Sequence, residues 1–250
     1  MSSRRIESAA PRAYDGPMQL GTVRRASRRE PVPQQLLPGP LRLPAAALLA
    51  ACAAVTALAA LVAGRGKPGS LDSVIDPRIQ AWLAHFPALL NWLPDFGTLK
   101  PVTLMTLALV CACLATRRWS GAVLAAVAVS AASGLTEYVL KPSVGRAIGQ
   151  SFPSGHTTCM FALAAVCAVL LVNPPRRRVP AVARLLLVLG AALLASAVAA
   201  AMVAIGAHTF TDIVAGTAVG IGVVLACALT LDLVTGRARR APAARSVPGG

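Results

Sequence analysis

The sequence predicts an all-α protein: an integral membrane bundle of six transmembrane helices, with an interfacial amphipathic helix between the first two. Three observations carry this. The 250-residue chain is 56% hydrophobic and only 13% charged. Its apolar residues fall into long runs dominated by Ala, Val and Leu, and its basic residues are confined to tails and short joints between the runs. Runs of about 18 or more apolar residues are long enough to cross a bilayer as helices.

Residues 1–43 are rich in Arg, Pro, Ser and Gln without apolar periodicity, which predicts a disordered basic cytoplasmic tail. The spans are expected at 44–64, 99–116, 119–140, 156–173, 182–206 and 211–233, so that 44–233 forms one domain. Residues 234–250 form a second disordered, basic cytoplasmic tail. In the connection 65–98, Ile79, Trp82, Leu83, Phe86, Leu89, Leu90 and Trp92 recur at roughly helical spacing. A helix lying in the interface, its Trp rings at head-group level, fits that pattern, and Pro87 is expected to kink or interrupt it.

Orientation follows from the basic residues. With the N-terminus inside, 18 of the 24 Lys and Arg lie on inner segments, including Arg117–Arg118 and Arg176–Arg178 in short joints. This bias predicts a multi-pass protein of the inner (plasma) membrane with both termini in the cytoplasm. The net charge of +15 is therefore a topological signal. Scattered over tails and joints, it makes no basic face for nucleic acid. The six cysteines all fall inside apolar runs, with neither disulfide-framework nor zinc-ligand spacing, and read as small buried hydrophobes.

Two segments on the predicted outer side hold nearly all the remaining unusual polar residues. The first runs from Leu140 through Lys141, Gly145 and Arg146 to Pro153-Ser154-Gly155-His156; the second is Gly206-Ala207-His208-Thr209-Phe210-Thr211-Asp212. Ionisable groups at membrane depth are costly and mark function by default. Lys141 and Arg146 suit phosphate oxygens. Ser154 and Gly155 open the fourth span, whose first backbone N–H groups make an anion site. His208 and Asp212 are four apart and share a face if the helix begins by residue 208, so that the carboxylate holds one ring nitrogen and leaves the other free to act.

Each signal alone has a plain structural reading: a turn and cap for Pro153–Gly155, an interfacial anchor for Lys141, a local hydrogen bond for His208 and Asp212. Glu137, four residues before Lys141, is expected to pair with it, with orientation of Lys141 as a further role. Gly216 and Gly220 form a GxxxG suited to close helix packing, expected inside the bundle. Convergence of the polar residues on one predicted side is what favours chemistry.

These residues resemble the type 2 phosphatidic acid phosphatase (PAP2) superfamily, whose motifs are Lys-x6-Arg-Pro, Pro-Ser-Gly-His and Ser-Arg-x5-His-x3-Asp. The second motif is complete at Pro153–His156; the third keeps His208 and Asp212, and the first keeps Lys141 with Gly145-Arg146. The resemblance covers 44–233. It implies hydrolysis of a lipid-linked phosphate or diphosphate, polyprenyl or glycerolipid, at the extracytoplasmic face, with no metal or organic cofactor. His208 would be the nucleophile forming a phosphohistidine, Asp212 its orienting carboxylate and His156 the acid that protonates the leaving oxygen. Lys141, Arg146, Ser154 and Gly155 would hold the phosphoryl oxygens. The sequence departs at Ile148 and Gly149, where the first motif has Arg-Pro, and at Ala201-Met202, where the third has Ser-Arg. A lipid-phosphate binding or transport protein on the same scaffold is the alternative those departures raise.

Overall fold

Helix follows helix in the computed structural model, which describes residues 35–64, 69–144, 152–172 and 179–240; no strand occurs among them. The elements are α1 (Gly39–Ala63), α2 (Ser70–Leu83), α3 (Pro87–Trp92), a 3-10 turn (Pro94–Gly97), α4 (Leu99–Ala115) and α5 (Trp119–Gly134). A π-helical turn (Leu135–Leu140) then leads into α6 (Lys141–Val144), followed by α7 (Gly155–Val172), α8 (Ala181–Ala204) and α9 (Phe210–Arg240). Five stretches among the described residues are long and apolar enough to cross a membrane: Gly39–Ala63, Trp119–Val144, Gly155–Val172, Ala181–Ala204 and Phe210–Gly236. At the predicted second position stands a bent pair, Pro87–Gly97 with Leu99–Ala115, which turns by 61° between the two and makes a sixth if the pair counts as one span. The all-helical, multi-span class is the one the sequence predicts.

Several boundaries differ, each for a local reason. Helix α1 begins at Gly39 rather than at 44, because Pro40 sits in its first turn, where the missing N–H is no loss. Just before it, the Leu36 and Leu37 amides donate to the Asp232 carboxylate at 2.8 and 2.9 Å, and Arg42 Nη2 lies 3.5 Å from the same group. Helix α9 continues past 233 to Arg240, across Gly236 and to just short of Pro242, which disfavours helix at the residue before it. The rest of both tails, 1–34 and 241–250, lies outside the described residues.

Between the first two spans the chain forms two helices rather than one. Pro87 occupies the first position of α3, so it interrupts the helical stretch, one of the two outcomes expected of it, and starts a new helix there. Leu83 and Leu93 are buried, whereas Trp82, Phe86 and Trp92 are exposed, with Trp82 and Phe86 meeting edge to face at 5.7 Å. On its other side α2 meets α8 and α9: Ile79 packs with Val203 and Ile213, and Gln80 Nε2 donates to the Val203 carbonyl at 3.3 Å.

The centre of the bundle is the α7–α9 pair, and glycine sets its spacing. A Cβ at Gly216 would lie 2.7 Å from the Ser154 carbonyl oxygen, and one at Gly220 would lie 2.5 Å from that of Thr158. The GxxxG therefore packs inside the bundle, as expected. Close approach of this kind lets dispersion replace the hydrophobic driving force that lipid cannot supply. Two arginines finish α7 at its far end: Arg118 Nη1 donates to the Leu170 carbonyl at 2.7 Å and Arg184 Nη1 to that of Leu171 at 3.2 Å. They satisfy carbonyls that the last turn leaves without helical partners.

Candidate active site

The starts of α4, α7 and α9 and the end of α5–α6 converge at one end of the bundle. Phe152, 1% exposed, packs against Ala59, Ala63 and Ala215 and anchors the entry to α7. Ser154 then caps the helix. Its Oγ accepts from Thr157 N (3.4 Å) and Thr157 Oγ1 (3.1 Å), while its carbonyl accepts from Thr158 N and Oγ1. Ser154 N donates to the Asp212 carbonyl at 3.2 Å, which joins the starts of α7 and α9. Ser154 is fully buried, so the structure places it beneath the site, whereas Gly155 and His156 line the cavity above. Gly97 lies directly over the His156 ring: a Cβ there would be 2.7 Å from Cβ and Cδ2 of the histidine.

His208 sits on a tight connection between α8 and α9. Gly206 takes φ +72°, a conformation that favours glycine, and the Gly206 and Ala207 amides donate to the Val203 and Met202 carbonyls, both at 3.0 Å. This is a Schellman end for α8. The His208 amide donates to the Met202 carbonyl as well, at 3.2 Å. Helix α9 begins at Phe210, so His208 precedes it rather than sharing a helical face with Asp212. The pairing survives by another route. Asp212 is in the first turn; its Oδ2 accepts from Thr209 N at 3.0 Å and lies 3.5 Å from His208 Nδ1. That separation is just beyond a good hydrogen bond, and Nδ1 is buried without a partner at bonding distance.

Two further carboxylates hold this segment. Phe210 N donates to Asp76 Oδ1 at 2.9 Å, and Thr211 donates to Asp72 Oδ1 through N (2.8 Å) and Oγ1 (2.6 Å). Asp72, fully buried, also accepts from Gly69 N at 2.9 Å. Both come from α2, so two N–H groups that the start of α9 leaves without helical partners are satisfied by a distant element. Nothing in the sequence around Asp72 and Asp76 marks them for this role. Their partners lie more than a hundred residues away, and no periodicity reveals such a pairing.

Lys141 follows the π-helical turn, and its Nζ lies 2.5 Å from Glu137 Oε1, the pair the spacing predicts. Helical turns of this wider kind are frequent at functional sites. Arg146 falls outside the described residues, as does Ile148. Met202, at the other departure from the motifs, is buried in α8. Among the described residues, no group of three or more His, Cys, Asp or Glu side chains is placed to hold a metal ion.

His156, His208, Lys141, Glu137 and Gly155 border a cavity of about 920 Å³. From this polar end it continues between α4 and α5, along Leu99, Val102, Thr106, Leu107 and Val110 on one wall and Ala126, Val129 and Ser130 on the other.

An apolar helical bundle with two histidines, an aspartate and a lysine gathered at one end of such a cleft has the composition of a membrane protein with a polar pocket. The family model of the PAP2 superfamily matches residues 102–234, more than half of the chain. The chain belongs to that superfamily, whose members hydrolyse phosphate esters, and it is a membrane-embedded phosphatase of that general kind. The match spans nearly all of α4 to α9 and leaves α1, α2, α3 and the 3-10 turn outside. Comparisons with curated proteins and with solved structures gave no match.

Proposed function

We propose that the chain hydrolyses a lipid-linked phosphate or diphosphate, with a polyprenyl or glycerolipid carrier, through a phosphohistidine on His208. The observation that carries this reading is the cleft: a phosphate held at His156, His208 and Lys141 would leave its lipid chain beside the apolar walls of α4 and α5. In the first step His208 Nε2 attacks phosphorus and the bond to the leaving oxygen breaks. His156 gives that oxygen a proton. Asp212, on the Nδ1 side, fixes the tautomer and stabilises the positive ring. In the second step water attacks phosphorus, His156 takes its proton, and the P–N bond breaks to release phosphate. Lys141 and the first N–H groups of α7 offset the charge on the phosphoryl oxygens, with Arg146 added by family resemblance and Ser154 holding the turn that presents those groups.

The distribution of basic residues supports a plasma-membrane protein with both termini cytoplasmic and the site at the extracytoplasmic face. The exposed Trp82, Phe86 and Trp92 suit α2 and α3 to the head-group layer there. The test is phosphate release by purified protein in detergent from a panel of polyprenyl and glycerolipid phosphates. Wild type should release phosphate and His208→Ala should not. No release from any of them would leave the binding or transport reading, which the residues at Ile148 and Met202 favour.

A further inference from the structure

Glu137 does more than accompany Lys141. Its Oε1 lies 2.5 Å from Lys141 Nζ, and it would lie 2.7 Å from a Cβ built on Gly155, so the carboxylate fills the space between the lysine and the first residue of α7. Lys141 Nζ itself would be 3.7 Å from that Cβ. An ammonium group and a helix N-terminus, facing each other at a cavity that also holds His156 and His208, form the place where an anion is best stabilised. The anion standing there is the protein's own.

We propose that Glu137 is a built-in competitor for the phosphate subsite, a carboxylate that incoming phosphate must displace from Lys141 and Gly155. This rests on the reading of that subsite given above and assigns its regulation. Glycine at 155 is what makes room for the carboxylate, since any side chain there would meet Glu137. The glutamate is 42% exposed, against 23% for the lysine, so it can swing to solvent without being buried elsewhere. The consequence is selection by charge. A dianionic terminal phosphate or a diphosphate outcompetes one carboxylate at Lys141, whereas a singly charged phosphodiester gains little over it.

The opposite role, a carboxylate that orients Lys141 for substrate, predicts the opposite sign on mutation. In Glu137→Gln the amide keeps the size and loses the charge. Competition predicts that KM falls, and that the inhibition constant of inorganic phosphate falls, each by about two- to five-fold. Orientation predicts that both rise, and that result would overturn the proposal, as would no change in either. Orthophosphate binding, followed calorimetrically on wild type and variant in detergent, reads the same equilibrium without turnover. Tighter orthophosphate in Glu137→Gln from a chain that hydrolyses no lipid phosphate would remove the enzymatic reading and leave this one standing. Glu137→Ala, combined with Lys141→Met, supplies the control: with the lysine gone, removing the carboxylate should no longer tighten phosphate selectively.

Discussion

Asp72 and Thr211 are joined twice, through the Thr211 amide at 2.8 Å and its hydroxyl at 2.6 Å, although 139 residues separate them. The bond makes α2 part of the machinery that holds His208, three residues before Thr211. Asp72→Ala leaves the part-buried Gly69 and Thr211 donors short of a partner, at about 1 kcal/mol for each lost hydrogen bond. The variant should melt several degrees lower in detergent, and kcat should fall more than KM rises, because the loss acts on the position of His208. Asp72→Asn keeps a carbonyl acceptor and should show a smaller effect on both. Equal kcat in all three proteins would mean that α2 merely braces the fold.

The two histidines should fail differently. His208→Ala removes the proposed nucleophile and should abolish both phosphate release and the acid-labile phosphoenzyme trapped after mixing with labelled substrate. His156→Ala removes a proton donor, which is worth about 10²–10⁴-fold in rate. It should still form phosphoenzyme from a substrate with a good leaving group, and the intermediate should persist, because water activation is lost too. Asp212→Asn should reduce kcat about a hundredfold or more by destabilising the required tautomer and the positive ring. A phosphoenzyme formed by His208→Ala would move the nucleophile elsewhere.

Glycine spacing gives a test of the fold that is independent of chemistry. Gly220→Ala pushes a methyl group against the Thr158 carbonyl and the Ala162 amide, which are backbone atoms on a packed helix. The helices must separate, at about 1–3 kcal/mol, and the joint between Ser154 and Asp212 loosens with them. Gly190→Ala is the contrast, because a Cβ there meets nothing within 4 Å. Thermal unfolding should show a clear loss for the first and none for the second. Comparable melting for both would contradict the close α7–α9 approach.

Local signals made most of this legible from sequence. Apolar run length located the spans to within a few residues, and Lys141, Glu137, His156 and His208 could be placed at span ends because each sits where an apolar run stops. The helix boundaries near Asp232 were not legible, since the amides that this carboxylate holds belong to Leu36 and Leu37 at the other end of the chain. The same limit hid Asp72 and Asp76. The start of α9 lies within one residue of the expected 211, and what the spacing leaves open is the geometry of the pair: four residues fit a helical face, but fit equally a residue before the helix paired with the third residue inside it. Thr209 donating to Asp212 decides for the second arrangement.

The cleft between α4 and α5 makes a final prediction about the lipid. Along α4 it runs from Leu99 to Val110, about 16 Å at the helical rise of 1.5 Å per residue. Ala126 lies on the opposite wall toward the end reached by Val110, and it is exposed, so Ala126→Trp can fill the far end without disturbing the packed core. A substrate chain long enough to reach that end would lose part of its apolar contact. The excluded methylenes exchange packing against α4 and α5 for contact with surrounding lipid or detergent, so binding of the long chain should weaken severalfold. A short-chain phosphate should not notice the change, because the histidines and Lys141 lie at the other end. The measurement is KM for a long-chain and a short-chain lipid phosphate, side by side, in wild type and variant. A rise confined to the long chain identifies the cleft as its seat, whereas equal shifts for both would mean that the tail lies elsewhere and that the tryptophan acts through the bundle.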